Sequence, residues 1–387
     1  MAGRERELGR FETTLSRLEA GRSANTPFLT GSRGSGKTSL FNAMTSRAKH
    51  RGWYVGAEAA IPDTPLPALI ALLAHDVLLA MSARHRAVDR VKRAMGILKA
   101  FTSVSVAGIR LDINSEAVTG TADSGILELD LRRLFTEIGE IAQAQSVGVL
   151  FALDEVHVLG NDELRVLDSA LHRSTQRQLP VAFLGAGLFP SWQGTGLHTF
   201  DPRGISSYRS RSATLSYTRL EPLTDAEARR ALCEPAAESG VLITAEALAR
   251  AIDFCEGNPW LLQFVGETAW ERAQSSPIGI EAMNSALAEV RHRLHESYFP
   301  RLLRRCTPEQ RTILAAMARE GGTNVPVGTV RAPGPDGHDN EFINDLVDLA
   351  QQDFIQLHNN YWLFADTTFR MSFSTPGLCR YLQSATR

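Results

Sequence analysis

The chain has 387 residues, with 41 Lys and Arg against 43 Asp and Glu and a formal net charge of -2. That length exceeds what one core usually holds, so we expect two or three domains. The balanced charge excludes the global basic field typical of nucleic-acid-binding proteins, so any such binding has to be local. The four cysteines are far apart and form no CxxC pair, which argues against a metal knuckle or disulfide scaffold and favours a reducing compartment.

The two stretches that bear on location are the start of the chain and its most apolar segment. The opening MAGRERELGRF is charged and has no apolar centre, so we expect no secretory signal and a cytoplasmic location. The apolar segment at 66–81 is interrupted by His75 and Asp76, which favours a buried helix over a membrane span. We therefore expect no membrane partner.

The first third of the chain begins with a strand and a helix joined by glycines. A helical apolar pattern over 4–20 is followed by a short apolar run at 28–29, which predicts a helix and then a strand. The stretch TGSRGSGKTSLF at 30–41 separates that strand from the next helical pattern. A second strand is predicted at 53–59, which completes a βαβ unit.

The following 160 residues continue the alternation of helices and strands. The pattern is helical over 65–100, and alternating residues at 102–117 predict an inserted hairpin. The run VGVLFALDE at 147–155 is almost wholly apolar and ends in two carboxylates, as buried parallel strands do. Further strands at 179–187 and 213–220 predict an α/β fold with a parallel sheet covered on both faces.

After Pro222 the pattern becomes helical. Thr224 and Glu227 form a capping box that opens this region, which continues to about residue 289. Beyond it, three predicted helices and a terminal hairpin split by Asn359 and Asn360 suggest a winged-helix module. The predicted domains are an α/β nucleotide-binding domain over 1–221, a helical lid over 222–290, and a basic linker helix with a winged-helix domain over 291–387.

The glycine-rich loop is the most specific motif in the chain. Residues 31–38 fit GxxxxGK[ST] at every fixed position, between a predicted strand and a predicted helix. Glycines let successive N–H groups converge on phosphate oxygens, and the helix that follows adds its positive end. We expect Lys37 to reach the β and γ phosphates and Thr38 to bind Mg²⁺. The candidate nucleotide-binding residues of the loop are Gly31, Ser32, Arg33, Gly34, Ser35, Gly36, Lys37, Thr38 and Ser39.

Two carboxylates supply the second half of a candidate hydrolytic site. Asp154 ends a predicted buried strand and is expected to orient the metal, while Glu155 is expected to polarise the attacking water. The alternative is that both are acidic residues favoured by the first turn of a helix. The stretch DEVH at 154–157 also spells the DExH box of helicases, but a helicase needs a second α/β lobe, and the pattern after 222 is helical.

These motifs carry a family resemblance. The loop, the VLFALDE strand, the opening GRERELGRF and the stretch GNPW at 257–260 together resemble the AAA+ superfamily of P-loop ATPases, in particular its Orc1/Cdc6-like and STAND members. The resemblance implies an AAA+ core with a helical lid and a C-terminal winged helix, and ATP or ADP with Mg²⁺ as cofactors. It places Gly3, Arg4 and Glu5 near the adenine, and the alternative is a solvated, charged first turn of a helix. It also implies that Asn258 and Pro259 couple the lid to the nucleotide, and the alternative there is a helix stop followed by a helix start with proline near its first position.

The resemblance also implies features that the residues support less well. A neighbouring subunit supplies an arginine in related ATPases, and Arg211 is the first candidate for it and Arg209 the second. Either residue is also consistent with a solvated loop charge. The strand at 179–187 ends in Gly-Ala-Gly, where related ATPases have a polar sensor residue, which puts γ-phosphate sensing there in doubt.

Charge decides how the C-terminal module is interpreted. The predicted helix at 339–353 is acidic, and no Lys or Arg occurs between Arg331 and Arg370, so this helix cannot neutralise DNA phosphates. Basic residues lie instead in 291–305, which is a candidate phosphate-contacting patch, a site for an acidic partner, or a solvated helix face.

The sequence therefore predicts an ATP-binding, slowly hydrolysing switch whose nucleotide state controls oligomerisation or partner binding. We expect a homo-oligomer and a protein partner that binds through the winged-helix module or the basic linker. One alternative is a DNA-associated ATPase of replication, transposition, or mobile-element or phage defence. A second is a nucleotide-gated scaffold with negligible turnover.

Overall fold

A computed structural model of the chain describes residues 1–83, 88–105, 113, 115–188, 215–273, 275–319, 325–326, 339–352, 354–358 and 361–364. The α/β part comprises α1 (Glu5–Glu19), β1 (Thr26–Thr30), α2 (Lys37–His50), β2 (Tyr54–Ala59), α3 (Leu66–Ala83), α4 (Val88–Ser105), α5 (Leu127–Ala144), β3 (Val149–Asp154), α6 (Asn161–Gln176), β4 (Val181–Gly187) and β5 (Leu215–Arg219). The five strands pair in parallel in the order β2-β3-β4-β1-β5, which confirms the predicted α/β fold.

The sheet is covered on both faces because successive strand residues point to opposite sides. Phe151 and Phe183 belong to the core on one face, which α3, α4, α5 and α6 complete. Leu150 and Leu184 belong to the core on the other face, where α1 and α2 pack. Near-continuous apolar strands such as VLFALD are therefore buried throughout.

Helix α3 is the one helix among the described residues that is long and apolar enough to cross a membrane, with a mean hydropathy of 1.8. Length and composition alone do not decide between a span and a core helix. Eleven of its residues are buried, including Leu69, Ile70 and Leu73 in the core against the sheet, whereas Leu79 is 49% exposed.

Helix α4 corrects the predicted start of the inserted hairpin. The helix runs through Ser105, so residues 102–105 are helical rather than extended. The alternation of the sequence is misleading here because the hydroxyls of Thr102 and Ser103 donate to the carbonyls of Lys99 and Ala100 within the helix. Most of the remaining hairpin prediction, 106–112, lies outside the described residues.

The region after Pro222 is helical, as predicted. It comprises α7 (Asp225–Glu238), α8 (Ala245–Cys255), α9 (Pro259–Arg272), α10 (Ile280–Arg293) and, after one π-helical turn, α11 (Phe299–Leu303). The capping box that opens it is confirmed: Glu227 N donates to Thr224 Oγ1, and Thr224 N donates to Glu227 Oε2 at 2.8 Å. Cys233, Cys255 and Cys306 are free thiols, and Cys379 lies outside the described residues.

The C-terminal part comprises α12 (Pro308–Arg319), β6 (Val325–Pro326), α13 (Asp339–Gln351), β7 (Ile355–His358) and β8 (Tyr361–Phe364). The three strands form an antiparallel sheet in the order β6-β8-β7. Buried residues of the helices after Pro222 and of this part, such as Leu261, Leu314 and Leu349, belong to one hydrophobic core. Packing is therefore continuous across the predicted boundary at residue 290, and the winged-helix assignment remains a prediction.

Candidate nucleotide-binding site

The glycine-rich loop runs from the end of β1 to the start of α2, at the carboxyl edge of the sheet. Gly34 and Gly36 have φ values of 75° and 86°, a left-handed conformation that favours glycine. A Cβ atom at Gly34 would lie 2.8 Å from Asn258 Oδ1 and 3.1 Å from Trp260 Cβ. Glycine at position 34 is thus needed both for the bend and for the close approach of the helix that begins at Pro259.

Lys37 and Ser35 give the loop the groups that a phosphate requires. Lys37 is largely buried, and its Nζ donates to the carbonyls of Gly31 and Ser32 at 2.9 and 2.8 Å. Ser35 Oγ is buried and has no hydrogen-bond partner among the described residues. The first N–H groups of α2 lack helical partners as well. An ammonium group, an unsatisfied hydroxyl and a helix N-terminus together fit a phosphate.

Asp154 and Glu155 stand at the carboxyl end of β3. Asp154 is buried, and its Oδ1 accepts a hydrogen bond from Glu155 N at 2.8 Å. Glu155 adopts a left-handed conformation with φ 54°, which turns the chain out of the strand. Burial raises the pKa of Glu155, and the charge of Asp154 raises it further, while Lys37 and Arg33 oppose this shift. A carboxylate with a raised pKa is a suitable proton acceptor.

His157 lies behind Glu155. Its Nδ1 is 3.1 Å from Glu155 Oε2, although the pair does not have hydrogen-bond geometry. Burial lowers the pKa of His157 to about 4, and the positive charges of Arg33, Lys37 and Arg305 contribute to the same shift. The imidazole is therefore neutral at physiological pH and packs against the carboxylate.

A cavity of about 760 Å³ opens between the loop and the helices after Pro222. One wall, called here the phosphate wall, consists of Arg33, Gly34, Ser35, Gly36, Lys37, Thr38, Ser39 and Glu155. The opposite wall, called here the lid wall, consists of Leu223, Arg230, Ala231, Glu234, Pro235, Glu238, Pro259, Trp260, Leu262, Gln263 and Tyr298. Met1, Ala2, Arg4 and Leu188 complete the lining.

Several predicted site residues lie beside the cavity without lining it. The carbonyls of Gly31 and Ser32 accept hydrogen bonds from Lys37 Nζ. The carboxylate of Asp154 accepts its hydrogen bond from Glu155 N. Asn258 Oδ1 accepts from Leu261 N at 3.0 Å and caps α9, whose first residue Pro259 does line the cavity.

The predicted adenine contacts and arginine finger have different outcomes. Glu5 forms an ion pair with Arg230 of α7 at 3.0 Å and does not line the cavity. Arg4 lines it, but its guanidinium donates to backbone carbonyls. Arg209 and Arg211 lie outside the described residues.

The residues at the metal position are oxygen donors. Thr38 lines the cavity at the start of α2, and Asp154 ends β3 at the same edge of the sheet. A hydroxyl and a carboxylate are ligands that Mg²⁺ accepts, with substrate phosphates and water completing its shell. No group of three or more His, Cys, Asp or Glu that would hold a metal occurs in the described part of the chain. The donor set therefore fits Mg²⁺ bound together with a phosphate.

Trp260 and Tyr298 are the main residues of the cavity that the sequence analysis missed. Their rings stack at a centroid distance of 5.2 Å and an interplanar angle of 24°. Trp260 N also donates to Gly34 O at 3.1 Å, so the aromatic pair is attached to the loop. An aromatic residue directly after GNP was the available signal for Trp260, whereas nothing in the sequence marks Tyr298.

Comparison with known proteins agrees with this geometry. Residues 1–184 match the family model described as the AAA ATPase domain. The match covers the glycine-rich loop, both carboxylates, the first three strands and the start of β4. The family model describes the class of domain that the sequence resemblance implies. Nucleotide binding is a property of that class.

Two solved structures share the fold of this chain over nearly its whole length. A Walker-type ATPase of Pyrococcus abyssi is 15% identical, with a TM-score of 0.56 over 97% of this chain and 96% of that chain. The ORC2 protein of Aeropyrum pernix, in ADPNP and ADP complexes, is 14% identical, with a TM-score of 0.54 over 100% of this chain and 95% of that chain. No match was found among curated proteins.

Proposed function

We propose that the chain binds MgATP in this cavity, hydrolyses it slowly, and uses its nucleotide state to control oligomerisation or partner binding. The observation that carries the proposal is the construction of the cavity from two walls, one made by the phosphate loop and one by the lid helices. A ligand held between two such walls favours the closed arrangement of both.

The residues of the phosphate wall have defined roles in this proposal. Lys37 exchanges its two carbonyl partners for phosphate oxygens, which are stronger acceptors for an ammonium group. Thr38, together with Asp154 beside this wall, would hold Mg²⁺, and the ion would neutralise developing charge on the phosphates. Glu155 accepts a proton from the attacking water, for which its raised pKa is suited.

The switch is supported by three consecutive loop residues that contact three different parts of the chain. Arg33 Nη2 donates to Gln352 O, at the end of α13, at 3.3 Å. Gly34 O accepts from Trp260 N of α9 at 3.1 Å, and Ser35 O accepts from Arg4 Nη2 at 3.0 Å. A phosphate that alters this loop therefore alters contacts with the lid, the C-terminal part and the N-terminal segment together.

The likeness of GNPW to the STAND motif and the acidic character of the C-terminal part support a signalling role. Pro259 lines the cavity beside Gly36, so lid position and phosphate binding share one contact surface. Helix α13 carries four acidic residues, Asp339, Glu341, Asp345 and Asp348, and no Lys or Arg. We therefore assign the C-terminal part to protein contacts and the ATP-bound state to a homo-oligomer in a cytoplasmic setting.

The test of the proposed site is Lys37→Ala, with Lys49→Ala as the matched control on the exposed end of the same helix. Calorimetric titration with MgATP should show binding in the wild type and in the control, and none in Lys37→Ala at accessible concentrations. Unchanged ATP affinity in Lys37→Ala would overturn the assignment of the cavity.

A second candidate function, a DNA-associated ATPase, is favoured by one observation. Arg301, Arg304 and Arg305 are exposed at and just after α11 and form no ion pair with any described residue. Many other exposed arginines, such as Arg51 and Arg177, do pair with carboxylates. Duplex binding that weakens with salt and is lost when the three arginines are neutralised would support this candidate. Absence of duplex DNA binding at low salt would exclude the DNA-associated ATPase.

A further inference from the structure

We propose that Arg4 is a positioning residue: it fixes the peptide plane between Ser35 and Gly36 for phosphate binding and ties the phosphate loop to the connection that carries the lid. This inference rests on the proposed nucleotide-binding function of the cavity. It assigns to Arg4 a role other than the adenine contact that the family resemblance implies.

The position of the Arg4 guanidinium carries the proposal. The residue is only 5% exposed although it is cationic. Its Nη2 donates to Ser35 O at 3.0 Å and to Glu221 O at 2.8 Å, and its Nη1 donates to Gly3 O at 3.4 Å. Ser35 lies in the phosphate loop, and Glu221 lies between β5 and α7. One buried guanidinium therefore joins two segments that are far apart in the sequence.

The bond to Ser35 O selects one orientation of a peptide that would otherwise rotate. Ser35 stands between Gly34 and Gly36, and glycine permits backbone conformations that other residues avoid. A trans peptide holds its C=O and N–H in opposite directions. Because Arg4 holds the Ser35 carbonyl, the N–H of Gly36 is held pointing away from Arg4. Gly36 lines the cavity, so we assign this N–H to a phosphate oxygen.

The bond to Glu221 O couples this orientation to the lid. Burial lowers the pKa of Arg4, while Glu7, Glu227 and Glu221 oppose the shift, and a guanidinium remains charged in either case. A buried cation that loses its acceptors is costly. Movement of the connection at Glu221 is therefore resisted as long as Arg4 also holds the loop. Lid position and readiness of the loop for phosphate are thus linked through one side chain.

The experiment compares Arg4→Ala and Arg4→Lys with Arg6→Ala, a control at an exposed arginine of the same helix. Affinity for MgATP is measured by calorimetric titration of the full chain, and thermal unfolding reports on folding. We expect Arg4→Ala to bind MgATP about tenfold more weakly than the wild type, and Arg6→Ala to bind as the wild type does. We expect Arg4→Lys to lose about threefold, because an ammonium group reproduces the charge but not the fork of donors.

Chemical rescue separates positioning from a general effect on folding. Millimolar guanidinium chloride should restore part of the MgATP affinity of Arg4→Ala and should have no such effect on Arg6→Ala. If Arg4→Ala does not fold, the test relies on Arg4→Lys. A threefold loss of MgATP affinity in Arg4→Lys, with a native unfolding midpoint, then supports the proposal.

Two results would overturn it: wild-type affinity in a folded Arg4→Ala or Arg4→Lys, or weakened binding in Arg4→Ala that guanidinium does not improve. If the wild type itself does not bind MgATP, the proposed function of the cavity fails, which is a distinct outcome from a failure of Arg4 alone.

Discussion

The two walls of the cavity are built in opposite ways. The phosphate wall consists almost wholly of one continuous stretch, 33–39, between a buried strand and a helix. The lid wall is assembled from separate helices and from Tyr298, and its central residue Trp260 is 39% exposed. Charged and hydroxyl groups that act on phosphates lie on the phosphate wall. The lid wall carries the aromatic pair and the apolar residues, together with the charged residues Arg230, Glu234 and Glu238. The difference suggests that chemistry belongs to the first wall and movement to the second.

The largest expected effect breaks the chemistry of the phosphate wall. Glu155→Gln removes the proton acceptor but keeps the shape of the side chain, so turnover should fall about 100-fold or more while MgATP still binds. Phosphate release under saturating ATP measures turnover, and calorimetric titration measures MgATP binding. Glu271→Gln, at an exposed position in α9, is the control. Retained turnover would show that Glu155 is not the base, whereas a variant that loses turnover but keeps its partner function would favour a scaffold.

A second change tests the packing behind the phosphate wall. The pKa of His157 in the folded chain is about 4, below its ordinary value of 6.5, because burial and the charges of Arg33, Lys37 and Arg305 favour the neutral ring. The folded chain, which holds this ring neutral, therefore has its full free energy of unfolding above pH 6.5. Part of that free energy is lost as the pH falls towards 4, because the ring is protonated more readily in the unfolded chain. By pH 5 the free energy of unfolding has fallen by about 2 kcal/mol.

Thermal unfolding midpoints of the wild type and of His157→Gln, from about pH 7.5 to about pH 5, measure this loss. The wild-type midpoint should fall more steeply with acid than that of His157→Gln. His50→Gln, at an exposed position, should follow the wild type. Parallel curves for the wild type and His157→Gln would show that this ring is not buried in the neutral form.

A third change tests the lid wall. Trp260→Ala removes the ring that stacks on Tyr298 beside Gly34, and we expect MgATP affinity to fall about tenfold while turnover of the bound nucleotide changes little. Trp270→Ala is a matched control, because Trp270 lies on the same helix, is 45% exposed and does not line the cavity. Equal affinities in the two variants would contradict a ligand-contacting role for the lid wall.

The smallest expected effect concerns the contact between the phosphate wall and the C-terminal part. Arg33→Gln removes the bond to the Gln352 carbonyl, a single bond of 3.3 Å, so we expect MgATP affinity to fall less than about fivefold. Hydrogen exchange of amides near the end of α13 should become faster in this variant. Unchanged hydrogen exchange near the end of α13 would show that the C-terminal part is not coupled to the phosphate loop through Arg33.

The sequence predicted the phosphate wall because a local motif determines it. The loop, the strand ending at Asp154 and the capping box at Thr224 each depend on residues a few positions apart. Of the lid wall only Pro259 was singled out, from its motif, because the other residues meet only when separate helices pack. Asn258 illustrates the limit: its motif suggested a nucleotide contact, yet its side chain caps α9 and packs on Gly34.

Alternating polarity was a weaker guide than the glycine motif. The alternation that begins at 102 predicted a hairpin, but Thr102 and Ser103 satisfy their hydroxyls inside α4. The resemblance placed Arg4 near the adenine, and the structure places it in the lining of the cavity. Its two principal acceptors, in the loop and before α7, become apparent only in the folded chain.

The central claim is that nucleotide state changes the arrangement of the chain, and size analysis of the purified protein tests it most directly. Size-exclusion chromatography with light scattering compares the full chain without nucleotide, with ADP, and with a non-hydrolysable ATP analogue. The account predicts a larger assembly or a more compact monomer with the ATP analogue than with ADP, and no such change in Lys37→Ala. Identical profiles in all three states, at nucleotide concentrations that saturate binding, would contradict it.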